Sequence, residues 1–363
     1  MIGMRRRAWT RWEVMVPPVA AVVLAATWGR PPDSGLVVAA VALALVGAVV
    51  AAVHHAEVVA HRVGEPFGTL ILAIAVTVIE VGLIVMLMTS GGPEAGSLAR
   101  DTVFAAFMIV CNGVVGLCLL AGALRHRVVE FKVEGVTAAL ATLSAVATMS
   151  LVLPSFTTSS PGPTFSPPQL AFAGIASLTL YAVFVFMQTV RHRDYFLPPG
   201  ADGEEVHAAP PSARQSWTSL GLLLVCLVGV VGLAKTASPA IEQAVAAAGA
   251  PRAVVGVAIA MLVLLPETAA AVRAARRNRV QTSFNLALGS ALASIGLTIP
   301  AIALASRWLE GPLTLGLGPK EMVLLALTVV VTTLTVAPGR ATLMQGTVHL
   351  TIFGAFLFLA VTP

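Results

Sequence analysis

The sequence predicts an all-α polytopic membrane protein of about eleven transmembrane helices: one N-terminal helix, then two inverted five-helix repeats. Three observations carry this expectation. Of the 363 residues, 57% are apolar and 11% charged, with a mean hydropathy of +0.91. A soluble globule with that balance would expose most of its apolar surface. The apolar residues gather into eleven stretches, most of them about 20 residues long, the length that crosses roughly 30 Å of hydrocarbon as a helix. Lys and Arg, finally, concentrate in alternate connecting loops.

In chain order the predicted spans lie near 14–28, 36–53, 67–90, 101–124, 134–153, 169–190, 217–235, 251–272, 283–306, 320–337 and 343–362. Breaker chemistry separates them, including Gly29-Arg30-Pro31-Pro32, Gly91-Gly92-Pro93, Ser160-Pro161-Gly162-Pro163, Pro198-Pro199-Gly200 and Pro338-Gly339. The basic residues before the first span resemble a signal-peptide n-region. No small-residue cleavage site precedes a mature domain, however, and ten more spans follow, so that segment reads as a membrane helix.

Alternating the loops puts Arg5, Arg6, Arg7, Arg11, Arg62, Arg125, Arg127, Lys132, Arg191, Arg193, Arg214, Arg273, Arg276, Arg277, Arg279 and Arg340 on one side, 16 of the 22 basic residues. Arg30, Arg100, Lys235, Arg252, Arg307 and Lys320 face the other. The bias predicts a cytoplasmic N-terminus and an external C-terminus. The expected organisation is an N-terminal helix (1–35), a first five-helix repeat (36–190), a cytoplasmic linker (191–216) and a second repeat (217–363). Five is odd, so two such sets joined through one cytoplasmic loop have opposite orientation, the condition for an inverted-repeat transporter with a midplane site.

Several classes are excluded. The net charge of +5 and pI near 9.6 come from loop residues rather than a basic stripe with aromatics, so no nucleic-acid partner is expected. Cys111, Cys118 and Cys226 lie inside apolar spans without metal-site spacing and read as small buried residues. No nucleophile elbow, phosphate loop or HExxH helix is present, so neither an enzyme nor a cofactor is expected. The lipid bilayer is an expected partner, with assembly into a homo-oligomer left open.

Glu80 and Glu267 stand near the middle of strongly apolar spans, each the second span of its five-helix set. A carboxylate at bilayer depth costs roughly 2.5–3.5 kcal/mol on insertion scales, so it marks an ion, proton or partner-charge site. No Lys or Arg lies near the centre of any predicted span to form a salt bridge with them.

The run His61-Arg62-Val63-Gly64-Glu65-Pro66-Phe67-Gly68-Thr69-Leu70-Ile71-Leu72, continuing through Ala75-Val76-Thr77-Val78-Ile79-Glu80-Val81, resembles the first signature of the bacterial sodium/calcium–proton antiporters of the calcium/cation antiporter superfamily. Leu265-Pro266-Glu267-Thr268, followed by Gln281-Thr282-Ser283-Phe284-Asn285 and Leu286-Ala287-Leu288-Gly289-Ser290-Ala291-Leu292-Ala293-Ser294, resembles the second. The resemblance implies a secondary active cation/proton antiporter of the bacterial inner (cell) membrane, working by alternating access at a two-glutamate midplane site, with inorganic cations and protons as its partners. Calcium is the first-choice substrate, and sodium or potassium stays open on the same scaffold. The Gly-Asn-Ala-x-Glu pattern of yeast and plant vacuolar exchangers keeps only its glutamate here. A gated cation channel is the alternative from a different class.

The residues support a cation site by their own chemistry. Calcium takes several oxygen ligands at about 2.3–2.6 Å, and two carboxylates supply charge neutrality and part of that shell. Pro266 lacks an amide hydrogen, which leaves the Leu262 carbonyl without its helical donor. Thr77 lies one turn before Glu80, and Thr268 follows Glu267. Asn112, Ser290 and Ser294 sit on the spans after each glutamate. Asn112 reads as a ligand; Thr77, Ser290 and Ser294 read equally as ligands or, like Gly289, as small packing residues. Glu80 and Glu267 also hold protons when the cation is absent, because two desolvated carboxyl groups resist ionising together.

His54, Glu57 and His61 share a helix face beside His55. This reads as a hydrated interfacial face, with pH sensing or metal binding as the alternative. Glu65 precedes Pro66 at a helix start. Gln188, Gln345 and His349 read as interhelical hydrogen-bonding residues. The central loop, with Asp194, Asp202, Glu204, Glu205 and His207, reads as a solvated linker.

Overall fold

The computed structural model describes residues 6–29, 34–64, 67–90, 93–197, 210–308 and 311–363. Among them are ten helices long and apolar enough to cross a membrane and a shorter apolar helix, Trp12–Thr27. That is the expected all-α membrane architecture. In order the helices are α1 (Arg6–Thr27), α2 (Gly35–Val63), α3 (Phe67–Ser90), α4 (Ala95–His126), α5 (Val133–Ser155), α6 (Pro167–Arg191), α7 (Ala213–Ala247), α8 (Ala253–Ala275), α9 (Val280–Ala305), α10 (Pro319–Val336) and α11 (Leu343–Val361).

Polar residues at the helix starts take up orphan backbone donors. The Ser34 hydroxyl accepts from the Val37 amide at 3.4 Å, and Ser212 accepts from Gln215 at 3.3 Å. Ser166 and Gln169 form a capping box with Pro167 in the first turn of α6. Gln345 does the same for Thr342, its Oε1 accepting from the Thr342 amide at 2.9 Å. Gln345 is therefore a helix cap at an exposed end, not an interhelical bond as expected, because its position three residues after the N-cap puts its amide back over the first turn.

Two helices outrun their apolar stretches. α2 continues to Val63, well past residue 53, and α7 runs from Ala213 through Lys235 and Pro239 to Ala247. Hydropathy marks where a helix meets lipid, whereas helical hydrogen bonding continues until a breaker intervenes. For α2 the breaker is Gly64, at φ 76°.

The helices pack as two compact units: residues 1–95 with 207–249, and 96–206 with 250–363. Each unit draws on both halves of the sequence. In the first, α2 lies along α7, and α1 and α3 pack on both. α1 approaches α7 so closely that a Cβ on Gly232 would stand 2.6 Å from Leu24 Cδ2. The end of α2 is tied to α1: His54 Nε2 lies 3.0 Å from a Glu13 carboxylate oxygen, and the His55 ring bonds the Glu13 carbonyl at 3.0 Å. His55 is buried, not part of a hydrated face, because α1 covers it.

In the second unit α4 is the central helix, with Phe107, Met108, Cys111, Asn112 and Leu119 fully buried. It packs against α8, α9 and α11. A two-residue antiparallel pair, β1 (Val129–Glu130) with β2 (Arg340–Ala341), joins the loops after α4 and α10. The start of the central loop is docked here rather than solvated. Phe196 is buried, and its carbonyl accepts from the Asn285 amide, while Lys132 Nζ donates to the Asp194 carbonyl at 2.7 Å. Glu65, Asp202, Glu204, Glu205 and His207 lie outside the described residues. All three cysteines are free and buried.

Candidate cation-binding residues

Glu80 is carried by α3 in the first unit and is 1% exposed. The helix is apolar throughout its length and holds this single carboxyl group against α7. A Cβ on Gly82, two residues on, would meet Val231 of α7 at 2.8 Å, so the absence of a side chain there lets the two helices close beside Glu80. Thr77 is buried one turn earlier. Its hydroxyl donates to the Ala73 carbonyl at 2.8 Å, which leaves the oxygen lone pairs as acceptors for a cation or a proton carrier.

Glu267 is carried by α8 in the second unit and is also buried. Pro266 lies inside a continuous helix, so the half-buried Leu262 has a carbonyl with no amide donor four residues ahead. The Thr268 hydroxyl donates to the Leu264 carbonyl at 2.7 Å and, like Thr77, keeps its oxygen as an acceptor. α8 touches α4 where a Cβ on Gly256 would stand 2.9 Å from both the Asp101 carbonyl carbon and the Thr102 amide nitrogen. It is tied to α9 by the Ser283 hydroxyl, which donates to the Ala271 carbonyl at 2.8 Å.

On α9, Ser294 is buried and Ser290 half-buried, one turn apart. The small-residue packing role fails at Gly289, where a Cβ would meet nothing within 4 Å. The close contact lies farther along, where a Cβ on Gly296 would meet the Tyr181 Cβ of α6 at 2.9 Å.

Asn112 sits in a π turn, Ile109–Val114, in the middle of α4. One wide turn rotates the following residues relative to a regular helix, and such turns recur at functional sites. Asn112 is bonded at both ends of its amide: Nδ2 to Thr328 Oγ1 on α10 at 2.8 Å, Oδ1 to His349 Nδ1 on α11 at 3.2 Å. His349 in turn meets Thr335 Oγ1 at 3.1 Å through Nε2. Asn112 thus joins three helices, and His349 is the interhelical hydrogen-bonding residue expected of it. Sequence reading did not single out Thr328 or Thr335. Their signal was present, as Thr328, Thr332 and Thr335 form one polar stripe along α10.

No group of three or more His, Cys, Asp or Glu side chains able to hold a metal occurs among the described residues. A hard cation takes hydroxyl and main-chain oxygens beside carboxylates; α3 carries the Thr77 hydroxyl one turn before Glu80, and α8 carries the Leu262 carbonyl and the Thr268 hydroxyl next to Glu267.

The sodium/calcium exchanger protein profile matches this chain twice, over residues 34–190 and 218–362. A putative ionic transporter of Sinorhizobium fredii is 48% identical over 97% of this chain and 96% of its own. The sodium-potassium/proton antiporter ChaA of Escherichia coli is 34% identical over 94% of each. Among solved structures, native YfkE superimposes with a TM-score of 0.72 at 15% identity, covering 97% of this chain and 99% of that one. The H+/Ca2+ exchanger CAX gives 0.71 at 17% identity, covering 95% and 86%. These two likenesses establish a shared fold. With the profile covering most of its length and two long relatives above 30% identity, the chain belongs to the sodium/calcium exchanger protein family, a family of multi-pass membrane transporters.

Proposed function

We propose that this chain is a secondary active cation/proton antiporter that exchanges Ca2+ for H+ by alternating access, with Glu80 and Glu267 carrying both the cation and the protons. One observation carries the reading: each of two membrane helices holds a single carboxyl group, near its middle and buried. An ionised carboxylate is costly there unless a cation accompanies it, and a proton removes the cost equally well. Metal and protons therefore compete for the same two groups. Two protons against one Ca2+ leave their total charge unchanged, which suits a divalent substrate. Oxygens of Thr77, Asn112, Leu262, Thr268, Ser290 and Ser294 complete the set of ligands.

The double match to one profile supports two repeats, and their odd helix number supports opposite orientation. The bias of 16 of 22 basic residues supports a cytoplasmic N-terminus and an external C-terminus in the inner membrane. Transport of this kind breaks no covalent bond and needs no cofactor.

A second reading, Na+ or K+ exchanged for H+, is favoured by the E. coli relative, which carries that description at 34% identity. The test is one experiment: proteoliposomes with an acid interior and a pH-sensitive dye receive external Ca2+, Na+ or K+. Gradient loss on Ca2+ alone supports the first reading, and loss on Na+ or K+ alone the second. Current under voltage without proton movement would replace both with a channel.

A further inference from the structure

The proton positions in the Asn112 cluster follow from one of its ends. The Thr328 hydroxyl donates to the Leu324 carbonyl at 2.7 Å, so its oxygen meets Asn112 as an acceptor and the amide nitrogen must face it, at 2.8 Å. The amide oxygen then faces His349 Nδ1 at 3.2 Å, and only a protonated Nδ1 satisfies it. In the neutral imidazole Nε2 is then bare, and the Thr335 hydroxyl donates to it at 3.1 Å. Every bond in the chain Thr335, His349, Asn112, Thr328, Leu324 runs in one direction. Asn112, His349 and Thr328 are each 0% exposed and Thr335 3%, so no water competes for these groups.

We propose that His349 is a positioning residue for Asn112: held as the Nδ1–H tautomer, it fixes the amide plane on the π turn and leaves the second lone pair of Asn112 Oδ1 as the oxygen offered to the cation. This rests on the cation-binding role given to Asn112 above. Without the imidazole N–H the amide is held at its nitrogen end alone, and ordering its oxygen on binding weakens the cation's hold, as with other ligands oriented by a hydrogen-bonded neighbour.

His349→Leu, which removes both ring nitrogens, should raise the half-saturating cation concentration about tenfold with the maximal exchange rate within about twofold. His349→Asn puts an amide N–H where Nδ1 stood and should stay within about threefold of the unmodified protein. Equal losses in both variants, or a fall in maximal rate at unchanged half-saturation, would overturn the proposal. Nitrogen-15 NMR of histidine-labelled protein supplies a readout that does not depend on transport, the His349 signals being those missing from His349→Asn. A ring protonated on Nδ1 and bare on Nε2 is expected. An Nε2–H or doubly protonated ring overturns the proposal even in a protein that transports. Absence of cation-driven proton movement in the unmodified protein would instead refute the antiport reading, and the tautomer signal would still decide the orientation of Asn112.

Discussion

Replacing Glu80 by Gln changes the charge of the proposed site while keeping its shape. Gln has nearly the volume of Glu and resembles the protonated carboxyl, so α3 should keep its packing on α7, including the close approach at Gly82. At 1% exposure the lost charge is not replaced by solvent. Two unit charges 4 Å apart at an effective dielectric near 20 attract by about 4 kcal/mol, which corresponds to roughly a thousandfold in cation affinity. The loss should be larger still for a divalent ion. Proton stoichiometry falls as well, since one titratable group remains where two exchanged protons. The assay is dye-reported proton movement in proteoliposomes on cation addition, with thermal unfolding measured on the same preparation. The expected outcome is no cation-driven proton movement across millimolar Ca2+, Na+ and K+, with an unfolding temperature near that of the unmodified protein. A Glu80→Gln protein that exchanges cations at ordinary rates would refute the assignment of Glu80.

Four further outcomes are expected. Gly256→Ala should destabilise the protein by about 1–3 kcal/mol, because the new Cβ meets the α4 backbone at 2.9 Å. Gly289→Ala, where a Cβ meets nothing within 4 Å, should be neutral or stabilising by up to about 1 kcal/mol; thermal unfolding of the two side by side checks both. Pro266→Ala restores an amide donor to the Leu262 carbonyl, and should stiffen α8 while raising the half-saturating cation concentration, measured in the same dye assay. Single cysteines placed before α1 and after α11, in a background without Cys111, Cys118 and Cys226, should label from opposite sides of the membrane with an impermeant reagent; labelling from one side would refute the proposed orientation.

The helix plan was legible because hydropathy and charge act residue by residue. A span needs apolar residues wherever it meets lipid, whatever it packs against, so the ten long apolar helices, the shorter one before them and the isolation of Glu80 and Glu267 in two of them are visible in the linear chain. The candidate oxygens were legible for a related reason: a Thr one turn from a Glu, or a Pro four residues past a carbonyl, is a local relation set by helical geometry. The ends of α2 and α7 were not legible, since the helical hydrogen-bond ladder continues where the apolar stretch stops, and His55 becomes buried only because α1 lies over it.

The chain by itself therefore determined its class, its long apolar helices and the two carboxyl groups that stand inside two of them. Tertiary structure alone decided which helices group into each unit, that Phe196 and Asn285 dock the start of the central loop, and that Asn112 meets Thr328 and His349, residues 216 and 237 positions away. The physical reason is that burial of a helix in lipid is a property of its own side chains, whereas a hydrogen bond between distant helices depends on a register and a rotation that packing sets. The π turn at Ile109–Val114 is one such rotation, and it lies where Asn112 reaches both partners.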